Sequence, residues 1–383
     1  MNPKRRIAAI TTGRQDFGIL RSTLILLRDH PSFELLIWVG GMHLSDEHGR
    51  SVDLIVSDGF DIDEQLAGIH VPSDVALDVS QMIEVTASAI RRNRPDAMLL
   101  VGDRHETLAV GIAATLERVP LIHLHGGEET EGAVDNAFRH ALTKLSHLHL
   151  VSHETHARRV AQMGEDPSTV HIVGAPGLDN AVRDDLSSRN ELESIFGIDI
   201  ADPVIVVTVH PTTLSDLGVT AEAEAIADAL EAIDGTIVVT HPNADSGGGD
   251  IREFWTEWSS TTPNGVAVPA LGERAYWGLL RIAAVVVGNS SSGVIEAPSV
   301  GVSAINVGNR QRGRLKHDDV VDVAVDRAAI REALCAALAD DQPDRRARSP
   351  LYPQGAAAPR IVEAITRWEP PQPPTKGFVD VDV

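Results

Sequence analysis

AMLLVGDRHETLAVGIAATLERVPLIHLH, residues 97–125, carries the pattern on which the fold turns. An apolar run (97–102) leads through a polar turn into a stretch of helical character (106–118), and a second apolar run (121–125) follows. Runs apolar at consecutive positions suit strands covered on both faces, as in a parallel sheet flanked by helices. Outward from there, IAAITT (7–12), ELLIWVG (34–40), LHLVS (148–152) and VHIVG (170–174) repeat the strand signal, with helical stretches at 19–28, 75–92 and 134–147. The alternation restarts at VIVVTVH (204–210), TIVVTH (236–241), AAVVVGN (283–289) and SAINVG (303–308), with helices near 220–233, 271–282 and 293–299. The chain therefore reads as two α/β domains in series, at 1–180 and 200–367, joined by the polar stretch 177–202. The proline-dense WEPPQPP (368–374) cannot continue a helix, so 369–383 reads as an extended tail.

Composition narrows the function. A chain of 383 residues exceeds what one core usually serves, and 43% apolar residues can fill two. A formal charge of -22 repels phosphate backbones and anionic headgroups, so neither nucleic acid nor membrane is an expected partner. A small anion remains compatible, because a few arginines can reverse the field inside one cleft. The one cysteine, Cys335, permits no intrachain disulfide and no cysteine-based metal site, which suits a reducing cytoplasm. The opening basic residues and IAAITTG fall short of a signal peptide, since Arg14 and Asp16 interrupt the apolar run, and no stretch approaches the ~20 apolar residues of a membrane span.

In parallel sheets ligands bind beyond the carboxyl ends of the strands, and here those turns are polar and glycine-rich. TTGRQDFG (11–18) offers helix amides and Arg14 to a phosphate. GDRHE (102–106) presents Asp103, which alternatively caps the next helix. HLHGGE (123–128) leads into a helix on which Val134, Phe138, Ala141, Leu142 and Leu145 form the apolar stripe, while Asp135 and Arg139 share another face. His123 and His125 point to one side of a strand and with Glu128 suggest a metal site, but no third histidine stands at ligand spacing, so no metal is expected. GNSSSGVIE (288–296) offers hydroxyls and amides to a diphosphate and Glu296 to a ribose; the plainer alternative is a serine-capped helix.

Six segments in order, TTGRQDFGILR, GDRHETL, HLHGGEETEGAVDNAFRHALTKLSHLHLVS, QMGEDPSTVHIVGAPGLDN, THPNADSGG and GNSSSGVIEAPSVGVSAINVGNRQRGR, resemble the hydrolysing UDP-N-acetylglucosamine 2-epimerases from about residue 7 to 365. That family includes bacterial enzymes feeding sialic acid synthesis. The resemblance implies a glycosyltransferase-B-like pair of Rossmann-like domains with the nucleotide in the cleft between them, and elimination of UDP followed by addition of water, releasing free N-acetylmannosamine.

Carried over by motif, Asp103, Glu128, Asp135, His125 and His210 are the expected catalytic groups. Arg14, Arg104, Arg139, His241, Asn243, Ser290, Ser291, Ser292, Gly293, Glu296, Arg310 and Arg314 are expected to hold the UDP-sugar. In the non-hydrolysing branch an acidic residue stands at the place of His125, so carboxylate roles cannot be transferred from that branch. No cofactor is expected, and the expected partners are a UDP-sugar and further copies of the chain as homodimer or homotetramer. A glycosyltransferase of the same architecture is the competing class, though it has no need to invert C2.

Overall fold

The computed structural model describes residues 3–45, 50–67, 74–212, 217–231, 233–242, 247–268, 271–339, 351–352 and 356–380. The chain divides into two compact units: Met1–Glu128, Asp135–Asp179 and Tyr352–Val383 form the first, and Glu129–Val134 with Asn180–Leu351 the second. Strands of the first are β1 (Arg5–Thr11), β2 (Phe33–Gly40), β3 (Glu64–Leu66), β4 (Ala97–Val101), β5 (Leu121–Leu124), β6 (Leu148–Val151) and β7 (Val170–Ile172). The second holds β8 (Val204–Thr208), β9 (Thr236–Thr240), β10 (Gly265–Val268), β11 (Val285–Gly288), β12 (Ser303–Val307) and β13 (Val320–Val323). The helices are α1 (Arg14–Asp29), α2 (Val52–Ser57), α3 (Val75–Asn93), α4 (His105–Leu116), α5 (Asp135–Leu145), α6 (Glu154–Gln162), α7 (Arg189–Phe196), α8 (Ala221–Leu230), α9 (Gly248–Thr261), α10 (Gly272–Ile282), α11 (Ser291–Ser299), α12 (Arg327–Ala339) and α13 (Ala357–Arg367).

Both sheets are parallel, with orders β3-β2-β1-β4-β5-β6-β7 and β10-β9-β8-β11-β12-β13, the doubly wound α/β arrangement. Period two explains the consecutive apolar runs. Ile7 and Ala9 of β1 face a core completed by Leu20, Leu24 and Leu27 of α1, while Ala8 and Ile10 face another completed by Met82 and Ile90 of α3. In the second unit Ile205 and Val207 pack with Ile226 of α8 and Trp255 of α9.

Two expectations change. The stretch 177–202 is more than a connection: Ser188 and Glu191 form a capping box that starts α7, and Ser187 N donates to Arg274 O of α10 at 3.1 Å. Helix α13, assigned from sequence to the second domain, belongs to the first. Its Ile361 and Ile365 enter the α1 core, Asp179 accepts from the amides of Ala357 and Ala358 at 3.2 and 2.8 Å, and Arg5 donates to Ile365 O at 2.8 Å. Chain order cannot reveal such a return, because the contacts that carry it, apolar and polar, join residues far apart in sequence.

The tail is extended, as its prolines require, and it is tied down. Val379 N donates to Gly164 O at 3.0 Å, and Lys376 reaches Ser146 O at 2.7 Å and the buried Glu165 at 2.6 Å. Burial alone would raise the Glu165 pKa, but hydrogen bonds from His149, Lys144 and Lys376 outweigh it and hold the carboxyl at about 2, below the ordinary 4.5. A depressed carboxyl stabilises the fold above its unfolded value and loses that contribution as pH falls from 4.5 towards 2. Lys376→Met is therefore expected to cost about 1–3 kcal/mol at pH 7. In denaturant unfolding the gap from wild type should narrow between pH 5 and pH 3; an equal gap at both would detach Lys376 from the Glu165 charge.

Candidate active site

The strand order of the first sheet reverses at β1 and β4, where helices leave on opposite faces and the carboxyl ends open a crevice. Beyond β1, Asp16 accepts from Thr12 N at 3.0 Å and from its hydroxyl at 2.6 Å, fixing the turn that presents Arg14 at the start of α1. Burial pushes the Arg14 guanidinium below its ordinary pKa. Beneath the turn His43 bridges Thr11 Oγ1 and Ser51 Oγ, each at 2.8 Å, and burial lowers it to about 4.

Beyond β4, Asp103 does not cap α4, whose N-cap is Arg104 with no side-chain bond. Asp103 is instead ion-paired with Arg139, which is 2% exposed. The helical face assigned from sequence is thereby corrected: α5 buries Arg139, Leu142 and Thr143, whereas Val134 just before it is 43% exposed. Asp135 lies half-buried in the first turn of α5. Arg104 turns inward and grips the buried Glu106 at 2.8 and 3.1 Å, an internal counterion rather than an open anion site. His105 and Asp78 complete that cluster at 2.9 Å; among the described residues these two with Glu106 form the one His/Asp/Glu group compact enough for a metal, and Arg104 already satisfies its carboxylate.

The shared face of His123 and His125 does not form, because β5 ends at Leu124 and His125 takes φ +66°. His123 is buried among Gly102 O at 2.8 Å and Thr143, and burial lowers it to about 3. His125 Nδ1 meets Glu128 Oε1 at 2.7 Å instead, and its buried Nε2 has no hydrogen-bond partner among the described residues.

In the second unit the reversal falls at β8 and β11. Gly288 ends β11 at φ +145°, with its Cβ position 2.0 Å from Thr208 O, so only glycine lets the strands meet there. Asn289 ties the crevice together: its side chain accepts from His210 N at 2.7 Å and donates to His210 O at 2.8 Å and to the buried Glu222. Its backbone O receives Gln311 at 2.8 Å and Arg310 at 3.2 Å.

Ser290 caps α11, accepting from Ser292 N at 3.3 Å, while Ser291, Ser292, Gly293 and Glu296 line its first turns, partly exposed. The Ser292 hydroxyl meets Tyr276 Oη, whose pKa is raised by burial and then by the nearby Glu296. Arg314 reaches Thr130 Oγ1 at 3.2 Å, and Glu131 N donates to Arg312 O at 2.9 Å, so residues 129–134 fasten onto the NRQRGR loop within this unit. His241 follows β9, with its pKa lowered by burial. Asn243 lies outside the described residues.

Sequence reading missed Asn289, Glu222, Gln311, Tyr276, Ser152 and His156. Only Asn289 had a signal, its place between a strand-ending glycine and the serine loop.

Two doubly wound parallel sheets, each in its own unit, define a glycosyltransferase-B-like α/β fold. A crystal structure of UDP-GlcNAc 2-epimerase from Neisseria meningitidis bound to UDP-GlcNAc shares it, with TM-score 0.79 at 16% identity over 94% of this chain and 100% of that one. The family model for UDP-N-acetylglucosamine 2-epimerase matches residues 26–366, and the chain belongs to that family of enzymes. It is 36% identical to UDP-N,N'-diacetylbacillosamine 2-epimerase (hydrolyzing) of Legionella pneumophila, over 87% of this chain and 89% of that protein. It is 33% identical to polysialic acid biosynthesis protein P7 of Escherichia coli, over 85% and 84%.

Removing the charge that pairs with Arg139 should disable the first unit's crevice. Asp103→Asn is expected to lower kcat about 100-fold or more with UDP affinity unchanged; near-normal turnover would remove Asp103 from the chemistry. Glu296→Ala should weaken UDP binding about tenfold or more in calorimetry without moving the Tm of the ligand-free protein. Unaltered affinity would put the ribose elsewhere.

Proposed function

We propose that this enzyme converts UDP-N-acetylglucosamine and water to UDP and free N-acetylmannosamine. The observation that carries the reading is the pair of proton-handling groups, His125 held by Glu128 and Asp103 held by Arg139, beyond the neighbouring parallel strands β5 and β4. The hydrolysing name of the Legionella relative supports it.

In the reaction a base removes the C2 proton, the C1–C2 bond becomes double, and the C1–O bond breaks with its electron pair leaving on UDP. Water then adds its oxygen to C1 while an acid returns a proton to C2 from the opposite face, so one water is consumed and the C2 configuration inverts. Asp103, Asp135 and His125 are the acid/base groups, with Glu128 behind His125. Arg14, His210, His241, the Ser290–Gly293 turn, Glu296, Arg310 and Arg314 hold UDP and its developing charge. Arg139, ion-paired with Asp103, holds that carboxylate in place.

A second reading keeps the reaction and changes the sugar: the 36% identity to a diacetylbacillosamine enzyme favours a 2,4-diacetamido substrate. Competition between the two UDP-sugars, read as the ratio of kcat/KM values, decides between them. A cytoplasmic setting fits the lone, exposed Cys335, and no helix among the described residues is long and apolar enough to cross a membrane. Exposed Leu54 and Val56 on α2 and Leu77 on α3 fit a homodimer or homotetramer.

Elimination followed by hydration has an isotopic signature. In deuterated, heavy-oxygen water the free sugar should carry deuterium at C2 and the oxygen label at C1, alongside unlabelled UDP. Free N-acetylglucosamine without deuterium would mean simple hydrolysis, and accumulation of UDP-N-acetylmannosamine would mean a reversible epimerase; either result overturns the proposal.

A further inference from the structure

Behind His125 runs a chain of buried polar groups that the reaction, as written, does not use. His125 Nδ1 and the Ser152 hydroxyl meet at one oxygen, Glu128 Oε1, at 2.7 and 2.9 Å. Ser152 Oγ in turn meets His156 Nδ1 at 2.9 Å. Proton accounting gives the chain a direction. A carboxylate oxygen only accepts, so the single Ser152 proton goes to Glu128, and the Ser152 oxygen must accept from a protonated His156 Nδ1. Burial, only partly offset by the Glu128 charge, lowers His156 to about 4, so its ring is neutral at pH 7 and donates from Nδ1 alone of the two. By the same rule His125 donates from Nδ1 to Glu128.

The turn is also clamped from α6. The Arg159 guanidinium donates to Gly127 O, and a Cβ on Gly127, at φ +75°, would stand 2.5 Å from His156 O. His125 itself is held at φ +66°, a conformation that costs a histidine energy and persists only where its surroundings impose it. The buried Nε2 of His125 has no partner among the described residues, a cost that a proton or hydrogen bond from a substrate would relieve.

We propose that Ser152 and His156 are positioning residues: they fix the Glu128 carboxylate against His125 Nδ1, so that His125 Nε2 carries the proton at the sugar and Glu128 acts only through it. The inference deepens the 2-epimerase reading and rests on it. Ser152 stands just past β6 and His156 in the first turn of α6, so the strand and helix that follow β5 hold the turn that β5 releases.

Steady-state turnover of UDP-N-acetylglucosamine by the full chain tests it in Ser152→Ala, Ser152→Thr, His156→Phe and His156→Asn. Threonine keeps the hydroxyl and asparagine keeps an N–H where Nδ1 stands; alanine and phenylalanine remove them. In Ser152→Ala and His156→Phe kcat should fall about tenfold or more with KM within about twofold, and threonine and asparagine should restore most of it. Unchanged kcat in Ser152→Ala, equal losses in the paired variants, or a loss confined to KM overturns the positioning role. Calorimetric UDP binding reports whether each variant is folded, and if one pair fails that check the other decides. A wild-type chain that releases no UDP overturns the epimerase reading itself, whereas an active wild type with indifferent variants leaves that reading standing.

Discussion

A parallel strand can follow another only after a helix has carried the chain back along the sheet, and that constraint orders everything else in this protein. It puts every strand's carboxyl end on the same edge of its sheet, and with it every strand-to-helix turn. Because β1 and β4, and again β8 and β11, send their helices to opposite faces, the turns beyond them part and leave room for a ligand. The strands themselves are buried on both faces and free to be uniformly apolar. Polar residues in those turns are therefore released from the duty of packing.

Charge is then handled locally. The chain as a whole is at -22, yet its arginines beside the crevices are not simply anion receptors. Arg104 is committed to Glu106 and Arg139 to Asp103, each arginine mostly withdrawn from solvent. Removing Asp103 or Arg104 would take a counterion from a buried charge, Arg139 or Glu106, which costs far more than a surface ion pair could return. In the second unit one neutral residue does the joining: Asn289, donating and accepting at once, links the end of β8, the Glu222 carboxylate of α8 and the NRQRGR loop.

Much of this was legible in the sequence, and the gaps have physical causes. Strands were readable because burial on both faces forces continuous apolarity, and the turns because their glycines and acids contradict it. Residue 125 left the strand pattern without a local signal, because the contacts around its turn come from far along the chain: His125 N donates to Leu150 O of β6, and Arg159 of α6 donates to Gly127 O. Arg139 could not be recognised as buried, because a charged side chain on a helix is ordinarily solvated and only its pairing with Asp103, 36 residues away, makes burial tolerable. The return of α13 to the first unit and the attachment of 129–134 to the second are long-range events that no periodicity encodes.

The groups held beyond β4 and β5 bear on the order of the chemistry in the proposed reaction. Asp103 stands against a guanidinium and His125 against a carboxylate, each in the turn after one of two neighbouring strands. Inversion at C2 takes a proton from one face of the sugar and returns a proton to the other, so no single group serves both steps. The proposed reaction therefore needs two proton carriers rather than one shuttle, and the turns beyond β4 and β5 supply one each. The hydrogen returned to C2 comes from the carrier that did not take the first one, and that carrier exchanges with solvent, which is why the product would carry the solvent's isotope.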